Sequence, residues 1–225
     1  CTHTPIPCDD GDPCTINDVL VQSSTTQNFD GVTAPALPVG WTSGGTGVVN
    51  NWTTATDFKV SGTNSVKAVG ATNISDYSLT SPTFNIVTAS AQLTFQNKYI
   101  FESGSWDGGV LEININGGGW TDIVTAGGSF VAGGYVGTVS SSFSNPIGGR
   151  SAWVGTNAGS PAFVATTVNL PAAAAGLPIQ LRWRYGSDTS TSGTGWWLDD
   201  IAITDVVCQG TPIAAPTASI SGGGT

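Results

Sequence analysis

The sequence predicts an all-β protein, with two antiparallel sheets packed face to face as a jelly-roll sandwich. Three observations predict it. The clearest apolar runs alternate with period 2. Gly, Ser and Asn turn signals separate these runs at short intervals. No stretch carries a convincing helical pattern. Alternation sends successive side chains to opposite faces, so one face can be dry while the other is wetter, as in antiparallel sheets.

Each element can be justified in chain order. Residues 1–20, which include CDDGDPCTIND from Cys8 to Asp18, read as a small Cys/Asp/Pro cap, and VQSSTTQ at 21–27 reads as a short spacer. The domain is expected over 21–207, with its strands from about residue 28. In AQLTFQNKYIF, Leu93, Phe95, Tyr99 and Phe101 line up on one face. In GVLEININ, Leu111, Ile113 and Ile115 oppose Val110, Glu112 and Asn114, and Glu112 reads as a solvated strand residue. PAAAAG at 171–176 allows one helical turn at most before Gly176 ends it. In IQLRWRY, Ile179, Leu181, Trp183 and Tyr185 share a face, while Gln180, Arg182 and Arg184 take the other. Residues 208–225 are rich in Pro, Gly and Ser and read as a linker into a following module.

Composition bounds the function. The chain has 225 residues, 31 Gly and a net charge of −9, with only 9% of residues charged. An acidic chain is a poor partner for nucleic acid or anionic lipid. No run of 18 apolar residues is present, so no membrane insertion is expected. The chain has no Met, which points to a processed product or a piece of a longer protein. Four Cys in an acidic, Lys-poor sequence point to export and an extracellular or cell-surface setting. His3, the one His, lies in the terminal segment. A Ser-His-Asp site, a His base and a zinc site therefore all lack parts, and no phosphate-binding Gly loop ends in Lys-Ser/Thr. The expectation is a protein that is not an enzyme.

The two ends echo one another. Cys1 opens CTHTPIP and Cys208 opens CQGTPIA. Both read as the closing edge of one repeating unit, making this chain one segment of a tandem array.

CDDGDPCTINDV followed by VCQGTP resembles a short Cys-rich repeat of large secreted surface proteins in gliding bacteria. NFDG (28–31), Pro38, Gly40 and Trp41 in LPVGW, SPTF (81–84), DGGVLEININGG (107–118), LRWRYGSD (181–188) and GWWLDDIAI (195–203) resemble the jelly-roll domains called cleaved-adhesin or MAM-like. The PTASISGGGT tail resembles the start of a further extracellular repeat. The resemblance spans residues 28–207. It implies a non-catalytic adhesin or surface-structural module, one segment of a longer tandem-repeat protein. Its partners would be neighbouring modules of the same chain, a surface glycan or another surface protein. The rival reading is a carbohydrate-binding module attached to a secreted hydrolase.

The resemblance also implies a bound calcium ion near a sheet edge. Its matching positions are Asp30 in NFDG, Asp199 or Asp200 in the DDI step, and the SGTNS turn around Asn64. Calcium takes six to eight oxygens, which Asp, Asn and carbonyls of flexible turns supply. The structural alternative is that both Asp cap turns and pair with Arg182 or Arg184. In CDDGDPCTIND, Asp9, Asp10, Asp12, Asn17 and Asp18 are secondary cation candidates, although the twelve-residue EF-hand pattern is missing. A disulfide-braced turn is the plainer reading there. A jelly roll set into a Cys-rich repeat brings its ends together, which implies the pairings Cys14–Cys208 and Cys1–Cys8. Of the eight Trp, Trp41, Trp52, Trp106 and Trp120 lie beside Gly or turn residues and are candidates for stacking on a sugar ring. Core filling is the alternative for each.

Overall fold

The computed structural model describes residues 15–47 and 52–212, with side chains over 21–47 and 52–206. Among these residues fifteen strands follow one another. The first five are β1 (Thr15–Gln27), β2 (Thr42–Thr46), β3 (Thr53–Ala55), β4 (Ser65–Val69) and β5 (Ser75–Thr80). Next come β6 (Phe84–Asn85), β7 (Gln92–Ile100), β8 (Gly108–Ile115), β9 (Trp120–Asp122) and β10 (Ser129–Ala132). The last are β11 (Gly137–Thr138), β12 (Ser151–Val154), β13 (Val164–Asn169), β14 (Pro178–Ser187) and β15 (Gly195–Pro212). PAAAAG contributes a single 3-10 turn at Ala172–Ala174. No helix among the described residues is long and apolar enough to cross a membrane.

The strands form two antiparallel sheets, and the fold is the expected jelly-roll sandwich. One sheet runs β10-β13-β7-β15-β4-β3, with β1 added beside β15. The other runs β11-β12-β8-β14-β5-β2, with β6 beside β14 and β9 beside β8. The alternation read from the sequence sets which side chains meet between the sheets. Leu93, Phe95, Tyr99 and Phe101 from β7 and its end are buried, and so are Ile179, Leu181, Trp183 and Tyr185 from β14.

Aromatic rings dominate this core. Trp183 meets Trp41 and Phe95, Phe95 meets Trp153, Trp153 meets Trp196, and Trp196 meets Phe101. Edge-to-face and tilted pairs of this kind contribute about 0.5–1.5 kcal/mol each beyond the area they bury. Gly109 of β8 faces the indole of Trp196 so closely that an added Cβ would collide with the ring. Gly109→Ala is therefore expected to lose about 1–3 kcal/mol by overpacking, read as a lower melting temperature.

Two local readings differ from the sequence expectation. VQSSTTQ is not a spacer: it is the second half of β1, paired residue for residue with β15 from Val21↔Val207 to Gln27↔Ile201. A partner strand almost 200 residues away supplies what local composition does not. β8 is buried on both faces rather than one. Val110 packs under Val139, Ile147, Ala152 and Val154, a small second core outside the sheet, and Glu112 is only 3% exposed.

Candidate functional site

Two constellations of charged side chains stand out, one at an end of the sandwich and one on the outer face of the eight-stranded sheet.

At the end, Glu102, Asp107 and Asp188 each bring a carboxylate oxygen within 4.8 Å of the others. This is the one such acidic group among the described residues. Glu102 lies just beyond β7, Asp107 immediately before β8, and Asp188 just after β14. Two of the loops that cross between the sheets, β7–β8 and β14–β15, thus supply all three. Asp107 is fully buried and Asp188 nearly so. The Tyr185 hydroxyl donates to Asp107 Oδ2 at 3.0 Å, and the Asp188 N–H donates to Asp107 Oδ1 at 3.1 Å. The Ser190 N–H donates to Asp188 Oδ1 at 3.0 Å. Glu102 Oε2 is buried with no hydrogen-bond donor.

Burial, aided by the charges of Glu102 and Asp188 and opposed by these hydrogen bonds, pushes the Asp107 carboxyl up to about 7. Burial, then the charge of Asp188, also raises Glu102. Three crowded acids with an orphaned buried oxygen form a site that can hold a metal ion. A cation would remove the like-charge repulsion and give Glu102 Oε2 a partner. Sequence reading missed this trio because its members lie in two loops some 80 residues apart and no local motif joins them.

The four expected metal residues do come together, around the loop at 58–64. Asp30 Oδ1 accepts from the Thr63 and Asn64 N–H groups at 2.6 and 2.8 Å. Asn64 Nδ2 donates to the carbonyls of Phe29 and Val32. Asp199 Oδ2 accepts from the Val60 and Ser61 N–H groups, and its Oδ1 accepts from the Asp200 N–H. Asp200 sits at a bulge in β15 with φ 46°, and its Oδ1 accepts from the Ser61 hydroxyl at 2.6 Å. The three carboxylates at this place thus already accept hydrogen bonds, mostly from backbone N–H groups. The N–H bonds of Asn64 and Thr63 lower the Asp30 carboxyl. Burial raises Asp199 against the pull of its N–H donors. Neither Asp199 nor Asp200 pairs with Arg182 or Arg184, whose carboxylate partners are Glu112 and Asp76.

Asp9, Asp10, Asp12, Cys1, Cys8 and Cys14 lie outside the described residues, as does the side chain of Asp18. Cys208 is placed by its backbone alone, opposite Leu20.

On the outer face of the eight-stranded sheet, all three arginines of the chain converge on Glu112. Arg150 Nη1 reaches Glu112 Oε1 at 2.5 Å, Arg182 Nε reaches Oε2 at 2.6 Å, and Arg184 Nη1 reaches Oε1 at 3.4 Å. Arg150 also holds Asp122, and Arg184 holds Asp76 through two bonds. Alternation along β14 puts Arg182 and Arg184 on this face, and the β8–β14 register sets Glu112 opposite Arg182. The sequence expectation of a solvated Glu112 is thereby corrected. The loop carrying Arg150 folds over β8 and closes it from water. Burial alone would raise the Glu112 carboxyl, but the bond from Arg150 and the charges of Arg182 and Arg150 outweigh it and hold the carboxyl below its usual range.

The tryptophan candidates divide. Trp41 and Trp52 are buried, packed on Phe29 and Trp183 and on Trp196 respectively. That corrects their reading as ligand platforms, since a ring enclosed by the core has no face to offer. Trp106 and Trp120 are half-buried. Trp106 leans on Phe143, and the Trp120 ring lies 4.4 Å from the Arg182 guanidinium. Beside the charge ladder, Asp122, Val124, Phe130, Tyr135 and Arg150 line a cleft of about 450 Å³. The Tyr135 hydroxyl donates to Asp122 in its wall.

No family model matches the chain, and no curated protein matches it. Among solved structures, it is similar to the K2 cleaved adhesin domain of Lys-gingipain, with 19% identity, 80% of this chain and 99% of that one covered, and a TM-score of 0.48. It is also similar to the K3 cleaved adhesin domain of Lys-gingipain from Porphyromonas gingivalis, with 16% identity, 82% and 99% coverage and a TM-score of 0.44. A third likeness is to a structure described as showing the promiscuous specificity of carbohydrate-binding modules of the β-sandwich superfamily. There the identity is 16%, the TM-score is 0.45, and the match covers 80% of this chain and 60% of that one. At such identities the likeness is one of fold alone.

Proposed function

We propose that this chain is a non-catalytic binding module of the exported, cell-surface kind, working as an adhesin or surface-structural segment. Its ligand surface is the outer face of the eight-stranded sheet. The observation that supports this most is the way the face is built. Every arginine of a charge-poor chain is spent there on one rigid network, Asp76–Arg184–Glu112–Arg150–Asp122 with Arg182 also on Glu112, flanked by Trp120 and by the cleft under Tyr135 and Phe130. Rigid polar groups beside aromatic rings suit a ligand rich in hydroxyls or amides, because little side-chain freedom is lost on binding. That same observation favours a surface glycan as the partner, the carbohydrate-module reading, over a flat protein contact.

A glycan array probed with the purified chain tests the reading. Specific binding that Trp120→Ala weakens at least tenfold, with an unchanged melting curve, is the expected result. Binding to protein-coated surfaces with no glycan signal would move the assignment to the adhesin reading without sugar.

The metal is proposed to be calcium at Glu102, Asp107 and Asp188. Oxygen ligands alone, on loops, suit a hard divalent ion, and the buried unpartnered Glu102 Oε2 is the atom that most lacks a cation. When bound, calcium would supply charge neutralisation and a tie between the two crossing loops. The set Asp30, Asn64, Asp199 and Asp200 remains a second proposed seat. Variants of the two sets separate them, as set out in the Discussion. Thr15 stands opposite Pro212 and Cys208 stands opposite Leu20, so the expected Cys14–Cys208 pairing would need the ladder to shift before a disulfide could close; peptide mapping without reduction decides which of the four cysteines pair.

A further inference from the structure

The register of β1 and β15 places chain entry and chain exit side by side. Thr15 is opposite Pro212 and Gln27 is opposite Ile201, with one irregularity between Ile16 and Val19. β15 pairs with β4 only over Gly195–Leu198 and with β7 only as far as Thr204. Beyond Asp205 its partner is β1 alone. Among the described residues, no strand pairs with the outer edge of either. Residues 15–22 and 206–212 therefore make a two-stranded ribbon standing off the sandwich, and an isolated pair of strands is only marginally stable in water.

Asp205 marks where the ribbon leaves the body. It is 4% exposed. Its Oδ2 accepts from the Val87 and Thr88 N–H groups, and its Oδ1 accepts from the Thr88 hydroxyl at 2.6 Å. The side chain thus pins β15 to the loop between β6 and β7.

We propose that the ribbon is a stem that carries the sandwich as a side-branch and opens under tension, with Asp205 as its stop. The physical reason is the direction of load. Force entering at residue 15 and leaving at residue 212 acts across the strands, so it loads the ladder's hydrogen bonds one after another. Strands drawn along their length would share it. Such a stem yields early and lets the binding face turn and reach before the sandwich is strained. This inference is independent of what the face binds.

The test is to stretch the full chain, with its thiols reduced, between handles at its two ends in an optical trap. Fifteen residues are freed, eight from 15–22 and seven from 206–212, which is on the order of 50 Å of chain. The expected result is a reversible step of that size, at lower force than the opening of the sandwich. In Asp205→Ala the step should lengthen, because separation runs on towards Gln27. One rupture with no earlier step, or a step of unchanged length in Asp205→Ala, would overturn the proposal. A second measurement needs no force. Labels at residues 15 and 212 should lie at about one strand spacing of 4.8 Å plus linker length, and a separation of many strand widths would also overturn it.

Discussion

Glu112→Ala is expected to be the most damaging single substitution on the outer face, lowering stability by about 3–5 kcal/mol. The carboxylate is 3% exposed and is shared by Arg150, Arg182 and Arg184. Its removal leaves three guanidinium groups facing one another, half-buried, with only Asp122 and Asp76 to hold two of them. Breaking one partner out of a buried ionic network costs far more than the network contributes, because the remaining charges stay desolvated. Urea unfolding measures the loss.

The pH dependence follows from the same contacts. The Glu112 carboxyl is held below its ordinary value of 4.5. Its contribution is therefore fully present above that value and fades as pH falls through the lower, folded value. Wild-type chain should lose stability in the acid range below about pH 4.5, and that limb should be shallower in Glu112→Ala. A variant as stable as wild type, with the same acid limb, would show that the arginines are held by something else.

Calcium addition is expected to have the second largest effect. An ion that binds the folded chain alone stabilises it by about 2.7 kcal/mol at a hundred times its dissociation constant. For a chain of this size that is roughly 5–10 °C in melting temperature. Glu102→Gln and Asp188→Asn should remove the rise while leaving a folded protein. Asp30→Ala should lower the melting temperature with or without calcium and keep the rise, since its carboxylate already accepts the Thr63 and Asn64 N–H groups. If Asp30→Ala abolishes the rise instead, the ion sits at the second seat.

Without calcium, the trio should leave a signature of opposite sign to that of Glu112. Asp107 is pushed up to about 7 from 3.8, so the folded chain holds a proton there that the unfolded chain has lost. Stability should fall as pH rises from about 4 to about 7, and calcium should flatten that slope. A chelator that leaves the melting curve unmoved at neutral pH rules out the metal.

Much of the fold was legible in the sequence, and the candidate sites far less so. The period-2 runs of β7 and β14 identified their buried faces, because a strand's side-chain alternation is a local property. The Gly and Asn turns and the single turn at Ala172–Ala174 were legible for the same reason. GWWLDDI drew attention to Asp199 and Asp200, and the structure places a bulge there. Yet, the Asp200 N–H bond to Asp199 aside, the hydrogen bonds those carboxylates accept come from residues 60 and 61, almost 140 positions earlier in the chain.

What the sequence determined by itself is the all-β class, the two-faced strands and the acidic, charge-poor character of the chain. The tertiary structure alone decided that VQSSTTQ is a strand, that Trp41 and Trp52 belong to the core, and that Glu112 is buried under arginines. It alone gathered Glu102, Asp107 and Asp188. The physical reason is the same in each case. Alternation fixes which way a side chain points, but burial and charge pairing depend on which distant strand or loop arrives on that side. That is set by register and crossover connections, and no local stretch of sequence encodes them.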